Sequence, residues 1–157
     1  MNATNLGVTG SPAFPAAAKA LDRNSVALSK SITTVYGKAA GKAFLDGKFQ
    51  WRAHIGFFVD YTVAVAKKNK AGQNKAVANL MKYTVEHGKL LGGATGLFPK
   101  VVQNDLLAHV LELKGQLDAY ANKEYAKAKI YQAAYAHMFA TGDLLAKAIS
   151  NQKNLPK

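Results

Sequence analysis

Cysteine is absent from all 157 residues of this chain. That excludes disulfide staples, thiolate metal sites, iron–sulfur clusters and thioether-linked haem, and it leaves the redox compartment open. Arginine is nearly missing too: Arg23 and Arg52 stand alone, so lysine carries almost all of the formal net charge of +12. Nucleic-acid readers cluster arginine for bidentate contacts and stacking, whereas these lysines are scattered over the chain. They describe a solvated surface that attracts polyanions such as nucleic acid, acidic lipid or anionic wall polymer without specificity. No apolar run approaches the roughly 18 residues needed to span a bilayer, and no charged segment followed by an apolar one opens the chain. The expectation is a soluble protein without a transmembrane segment, intracellular or already trimmed of a leader. Nucleophile elbow, P-loop, HExxH and paired carboxylates are also missing, which predicts a non-catalytic protein.

What is present is helical periodicity. Apolar residues make up 49% and prolines number 4, while alternation at period two, the mark of strands, does not occur. The fold class expected is all-α, an up-and-down antiparallel bundle of four to five long helices joined by short turns. Residues 1–13 read as an irregular arm, 14–150 as a single helical-bundle domain, and 151–157 as a fraying tail. The first helix is predicted from Ser11 or Phe14 to Tyr36, with Leu21, Asn24, Leu28, Ile32 and Val35 on its buried stripe. A second runs from about Ala39 to Lys68, with Gly41 and Gly47 as candidate kinks or a break before Trp51, and Trp51, His54, Phe58, Tyr61 and Val65 share one face. The third spans about Gln73 to Leu91 with Ala76, Leu80, Tyr83, His87 and Leu90 inward. The fourth starts at Pro99 and runs to about Tyr120, with Val102, Leu106, His109, Leu113, Leu117 and Tyr120 inward. The fifth follows Asn122 to about Ser150, with Ile130, Ala134, His137, Thr141, Leu144 and Ala148 inward.

Two helical hairpins look duplicated. Trp51 to Lys68 laid on Leu106 to Lys123 pairs His54 with His109, Ala64 with Ala119 and Lys68 with Lys123. His87-Gly88-Lys89-Leu90-Leu91 lies over Thr141-Gly142-Asp143-Leu144-Leu145, one residue out of that register. Each of four helices thus aims one histidine inward: His54, His87, His109 and His137. In an antiparallel hairpin, residues equidistant from the turn share a level. The midpoints of successive histidine pairs fall in the turns Asn69 to Gly72, Phe98-Pro99 and Asn122-Lys123, so all four are expected in one layer, with Asn24 a candidate fifth member.

Imidazoles converging from separate helices suit copper or zinc, and less readily an axially ligated haem. The acids Asp60, Glu86, Asp105 and Glu112 mostly fall off the inward stripes, so a carboxylate partner for each ligating ring is not expected. Nor do the Glu-x-x-His pairs of di-iron bundles occur. The competing reading is structural: a buried hydrogen-bonded layer of histidine with Asn24, Tyr61, Tyr83 and Thr141 that sets helix register.

Val35-Tyr36-Gly37-Lys38, Arg52-x-His54, Asp118-Ala119-Tyr120-Ala121 and above all Tyr135-Ala136-His137-Met138-Phe139-x-Thr141-Gly142-Asp143 resemble uncharacterised secreted helical-repeat proteins of Gram-positive bacteria. These are often labelled copper amine oxidase-like after a neighbouring domain. The resemblance covers about Ala18 to Ile149 and implies a signal peptide and a secreted, extracellular or cell-wall location that this chain does not itself display. In that family a further histidine-bearing helix precedes the position of Leu21, where the present chain has its arm. A face left open there would be closed by a homo-oligomer contact or a neighbouring helix.

Overall fold

The computed structural model describes residues 2–155, and the side chains of all of these except residues 2 and 128–131. The described chain is all-helical. Its elements are α1 (Asn2–Val8), α2 (Phe14–Tyr36), α3 (Lys38–Leu45), α4 (Trp51–Ala66), α5 (Lys70–Thr95), α6 (Pro99–Ala121), a 3-10 turn (Tyr125–Ala128) and α7 (Lys129–Lys153). Seven helices replace the four to five expected, for two reasons. The second long helix is broken between α3 and α4, with Gly47 at φ 146°, a backbone region that a side chain would strain. The supposed irregular arm also contains a helix. Helix α1 packs on α2, α4 and α6, buries Ala3, and accepts a hydrogen bond from Gln116 Nε2 at Asn5 Oδ1, 2.8 Å away. The expected fraying tail is likewise helical as far as Lys153.

Alternating helices run antiparallel because their connections are short. Asn69 caps α5, accepting a hydrogen bond from the Gly72 N–H, and Pro99 opens α6, where its missing N–H leaves no gap in the ladder. The main core joins Phe44, Phe58, Leu80, Tyr83, Leu91, Val102, Leu106 and Val110. A second cluster around Tyr61, Ala76 and Leu117 lies toward α1. Helices α5 and α6 approach closely at Gly88 and Gly92: an added Cβ would stand 3.0 Å from the Gln103 backbone in the first case and 2.8 Å from the Pro99 Cα in the second. Hydroxyls inside the bundle satisfy themselves on their own helix, as Thr62 does on the Phe58 carbonyl and Thr95 on that of Leu91, so they need no partner across the core.

Helix α2 departs from its predicted stripe. Leu21 and Leu28 are 39% and 37% exposed, and Ser25 and Ser29 are buried in their place. Ser29 Oγ donates to the Gly41 carbonyl at 2.8 Å, drawing α3 tightly onto that small-residue face. Leu21, Asn24, Leu28 and Ile32 consequently look into a cavity that α2 shares with α7. Ile130, assigned to the last inward stripe, lies outside the described side chains. No helix among the described residues is long and apolar enough to cross a membrane.

Candidate metal centre

The two hairpins that look alike in the sequence end their first helices alike. After α4 the Asn69 N–H donates to the Ala64 carbonyl at 2.8 Å; after α6 the Glu124 N–H donates to the Ala119 carbonyl at 2.8 Å. The intervening residues, Lys68 at φ 53° and Lys123 at φ 61°, are both left-handed. Each hairpin thus leaves its first helix through the same six-to-one closure.

Equivalent positions make equivalent contacts, with different chemistry. In the first hairpin, Gln50 Oε1 meets His87 Nδ1 at 2.7 Å. At the matching places of the second, Asp105 Oδ2 accepts from Thr141 Oγ1 at 2.8 Å. In the first, the His54 ring stacks on Tyr83, centroids 4.6 Å apart and planes 19° apart. In the second, the His109 ring meets His137 edge to face at 5.9 Å. An amide and a phenol in one half correspond to a carboxylate and an imidazole in the other. The first hairpin is an aromatic core, and the second gathers a set of groups able to hold a metal ion.

That set is His109 and Glu112 on α6 with His137 on α7. Each offers one ligand atom, and the three atoms lie within 4.8 Å of one another. His137 is held from both sides, Nδ1 at 2.9 Å from Glu112 Oε2 and Nε2 at 3.1 Å from Asp105 Oδ1. The buried Nδ1 of His109 has no hydrogen-bond partner. The His137, Asp105 and Glu112 side chains are 17%, 19% and 28% exposed, so an ion can reach the site yet would be largely dehydrated there. A group of two imidazoles and one carboxylate can hold a metal ion, and a carboxylate on the far nitrogen of a ligating histidine is the usual way to fix its ring. Asp105, itself oriented by Thr141, stands where that carboxylate belongs.

The expectation that the acids fall off the inward face is therefore corrected for Asp105 and Glu112. On a helix, Asp105, His109 and Glu112 are one stripe, spaced by four and then three residues. It adjoins the apolar stripe of Leu106 and Leu113 and faces α7 instead of α4. The spacing was the signal available in the sequence, and His109 belongs to both stripes.

His54 and His87 lie elsewhere in the same file of rings. His54 Nδ1 donates to the Trp51 carbonyl; its ring touches Trp51 at 4.8 Å and Tyr83 at 4.6 Å. His87 is fully buried between Tyr83 and Phe44, each 5.2 Å away, and its Nε2 has no partner. Asn24, proposed for the same layer, is exposed toward the cavity.

Titration properties split along the same line. Burial, partly countered by the Trp51 carbonyl and reinforced by His109, lowers the His54 pKa from 6.5 to about 4. Burial and the neighbouring His54 lower that of His87 to about 3. Burial and the His137 charge lower that of His109 to about 4 against the pull of Glu112 and Asp105. His137 goes the other way. Burial opposes its charge, but the hydrogen bonds it donates to Glu112 and Asp105 outweigh that and raise its pKa above 6.5. Three neutral imidazoles thus line up beside one that prefers to be cationic between two carboxylates.

No family model, curated protein or solved structure matches this chain.

Proposed function

We propose that this protein is a metal-binding helical bundle that holds one divalent transition ion on His109, Glu112 and His137, zinc ahead of copper. The observation that carries the reading is the position of Asp105. Its carboxylate braces the nitrogen of His137 opposite the one that faces Glu112, an arrangement that ligating histidines need and that packing alone does not. Two nitrogens and an oxygen with a fourth position open suit zinc, whose ligands sit at about 2.0–2.2 Å. Ligands at that distance around a tetrahedral ion are about 3.5 Å apart, so the group closes by roughly an ångström on loading. Haem fits less well, because the His109 and His137 rings stand 87° apart and both His137 nitrogens already face carboxylates. A secreted or cell-wall setting belongs to the same reading and rests on the resemblance of Tyr135 to Asp143; fractionation of producing cells checks it.

Chelator-stripped protein titrated calorimetrically with zinc, then copper, tests the site. Expected are one ion per chain, loss of at least tenfold in affinity for His109→Ala, Glu112→Gln and His137→Ala, and little change for His54→Ala or His87→Ala. Binding also displaces the proton that His137 shares with the two carboxylates, so affinity rises with pH through the His137 pKa. Failure of both metals to bind, or sensitivity confined to His54 and His87, overturns the reading.

The second reading is the structural one. Without an ion, a protonated His137 between Glu112 and Asp105 is a satisfied salt-bridged layer. It predicts that His137→Ala lowers the melting temperature of the stripped protein while zinc leaves that of the wild type unmoved.

A further inference from the structure

The bundle interior holds a cavity of about 780 Å³ that meets the proposed metal group only at His109 and Thr141. All seven helices contribute to its wall. Leu28 and Ile32 of α2, Phe58 of α4, Leu106 of α6, and Met138 and Leu145 of α7 typify the lining, which is apolar almost throughout. Cavities of 300–1,000 Å³ with this character are the usual size for small-molecule sites. Helices α2 and α7 stand apart along most of their length, and the exposed side chains of Leu21, Leu28, Tyr135 and Phe139 line the slit between them. At the far end the two helices meet, where Tyr36 Oη donates to Gln152 Oε1 at 2.6 Å.

The shape selects the occupant. A helix, about 10 Å across with its side chains, would overfill this volume in roughly two turns and would have to stand out of the slit between α2 and α7. On α2 and α7 the wall runs from Leu21 to Tyr36 and from Ala134 to Ile149, a span of about 22 Å at 1.5 Å per residue. The space is therefore long, narrow and water-repelling, the form of an extended alkyl chain. Charge selects the head group. Tyr36 lines the cavity, and Lys153 Nζ lies 4.6 Å from its ring centroid. Lys153 is outside every ion pair formed among the described residues. It offers a cation paired with no described carboxylate and a phenol at one end of an apolar tube, in a chain of net charge +12.

We propose that this cavity binds a long-chain fatty acid, its alkyl chain laid between α2 and α7 and its carboxylate at Lys153 and Tyr36. The cavity borders the metal group: His109 and Thr141 reach its wall, while Asp105, Glu112 and His137 lie outside it, so binding is tested with the metal removed.

Gly142 provides the test. It lines the cavity, and an added Cβ there meets nothing within 4 Å. Gly142→Leu carries an isobutyl group into the space from an unobstructed Cβ, and replacing a mid-helix glycine favours the helix. Delipidated protein in EDTA is titrated with palmitate and with hexadecanol, and its melting temperature is followed. Expected are saturable binding of one palmitate with a raised melting temperature, and at least tenfold weaker palmitate binding by Gly142→Leu, whose own melting temperature is equal to or above that of the wild type. Lys153→Glu weakens palmitate at least threefold and leaves hexadecanol unchanged. Absence of saturable palmitate binding overturns the proposal. So does a Gly142→Leu affinity equal to that of the wild type, or an equal effect of Lys153→Glu on acid and alcohol.

Discussion

Acid should unfold this protein well before its carboxylates are all protonated, and the histidine file says by how much. His54, His87 and His109 have folded pKa values of about 4, 3 and 4 against 6.5 when unfolded. A group depressed in this way is taken up by the unfolded chain as a proton acceptor first, so stability falls with pH below 6.5 and continues to fall until the folded pKa is reached. Each such histidine loses about 2 to 3 kcal/mol between pH 7 and pH 4.5, at about 1.36 kcal/mol per pKa unit. Three together approach roughly 7 kcal/mol, comparable with the whole stability of a domain this size. His137 works oppositely: its raised pKa gives a contribution complete below 6.5 and lost as pH climbs through the folded value. The assay is thermal melting by circular dichroism in EDTA, stepped from pH 7.5 to pH 4. A drop of roughly 10 °C between pH 7 and pH 5.5 is expected, followed by unfolding near pH 5. His54→Phe, which keeps a ring against Tyr83, moves that acid midpoint downward. A flat melting temperature from pH 7 to pH 5.5, or an unchanged midpoint in His54→Phe, refutes the reasoning.

Other perturbations follow from particular contacts. Asp105→Asn removes the charge that braces His137 and should weaken zinc about 10- to 100-fold, measured by competition with a chromophoric chelator. Gly88→Ala pushes a methyl against the Gln103 backbone at 3.0 Å and should destabilise by about 1–3 kcal/mol in urea unfolding. Lys123→Gly relieves a left-handed lysine at φ 61° and should stabilise by up to about 1 kcal/mol in the same assay.

The helices were legible because their apolar stripes are regular. Leu80 and Tyr83 on α5, and Val102, Leu106 and Leu117 on α6, are buried where periodicity places them. The glycines marked an interruption before Trp51 without saying whether it was a kink or a break; Gly47 makes the break and Gly41 stays inside α3. The carboxylates escaped because each helix was read against a single neighbour. A bundle helix has two, and Asp105 and Glu112 face the other one. Helix α1 escaped for a different reason: its seven residues carry little propensity of their own, and packing on α4 and α6 makes them helical. The cavity has no counterpart in periodicity at all. Leu21 and Leu28 look like core residues in the sequence, and only the separation of α2 from α7 leaves them uncovered.

The docking of α1 also bears on how the chain folds. Besides the adjacent α2 it contacts α4 and α6, the latter more than a hundred residues along, as the Asn5 to Gln116 hydrogen bond shows. Closing so long a loop is slow compared with pairing adjacent helices. The two hairpins should therefore form early, with this short segment arriving last, and a chain halted just before that step would display Thr62 and Leu117 to solvent as a late intermediate.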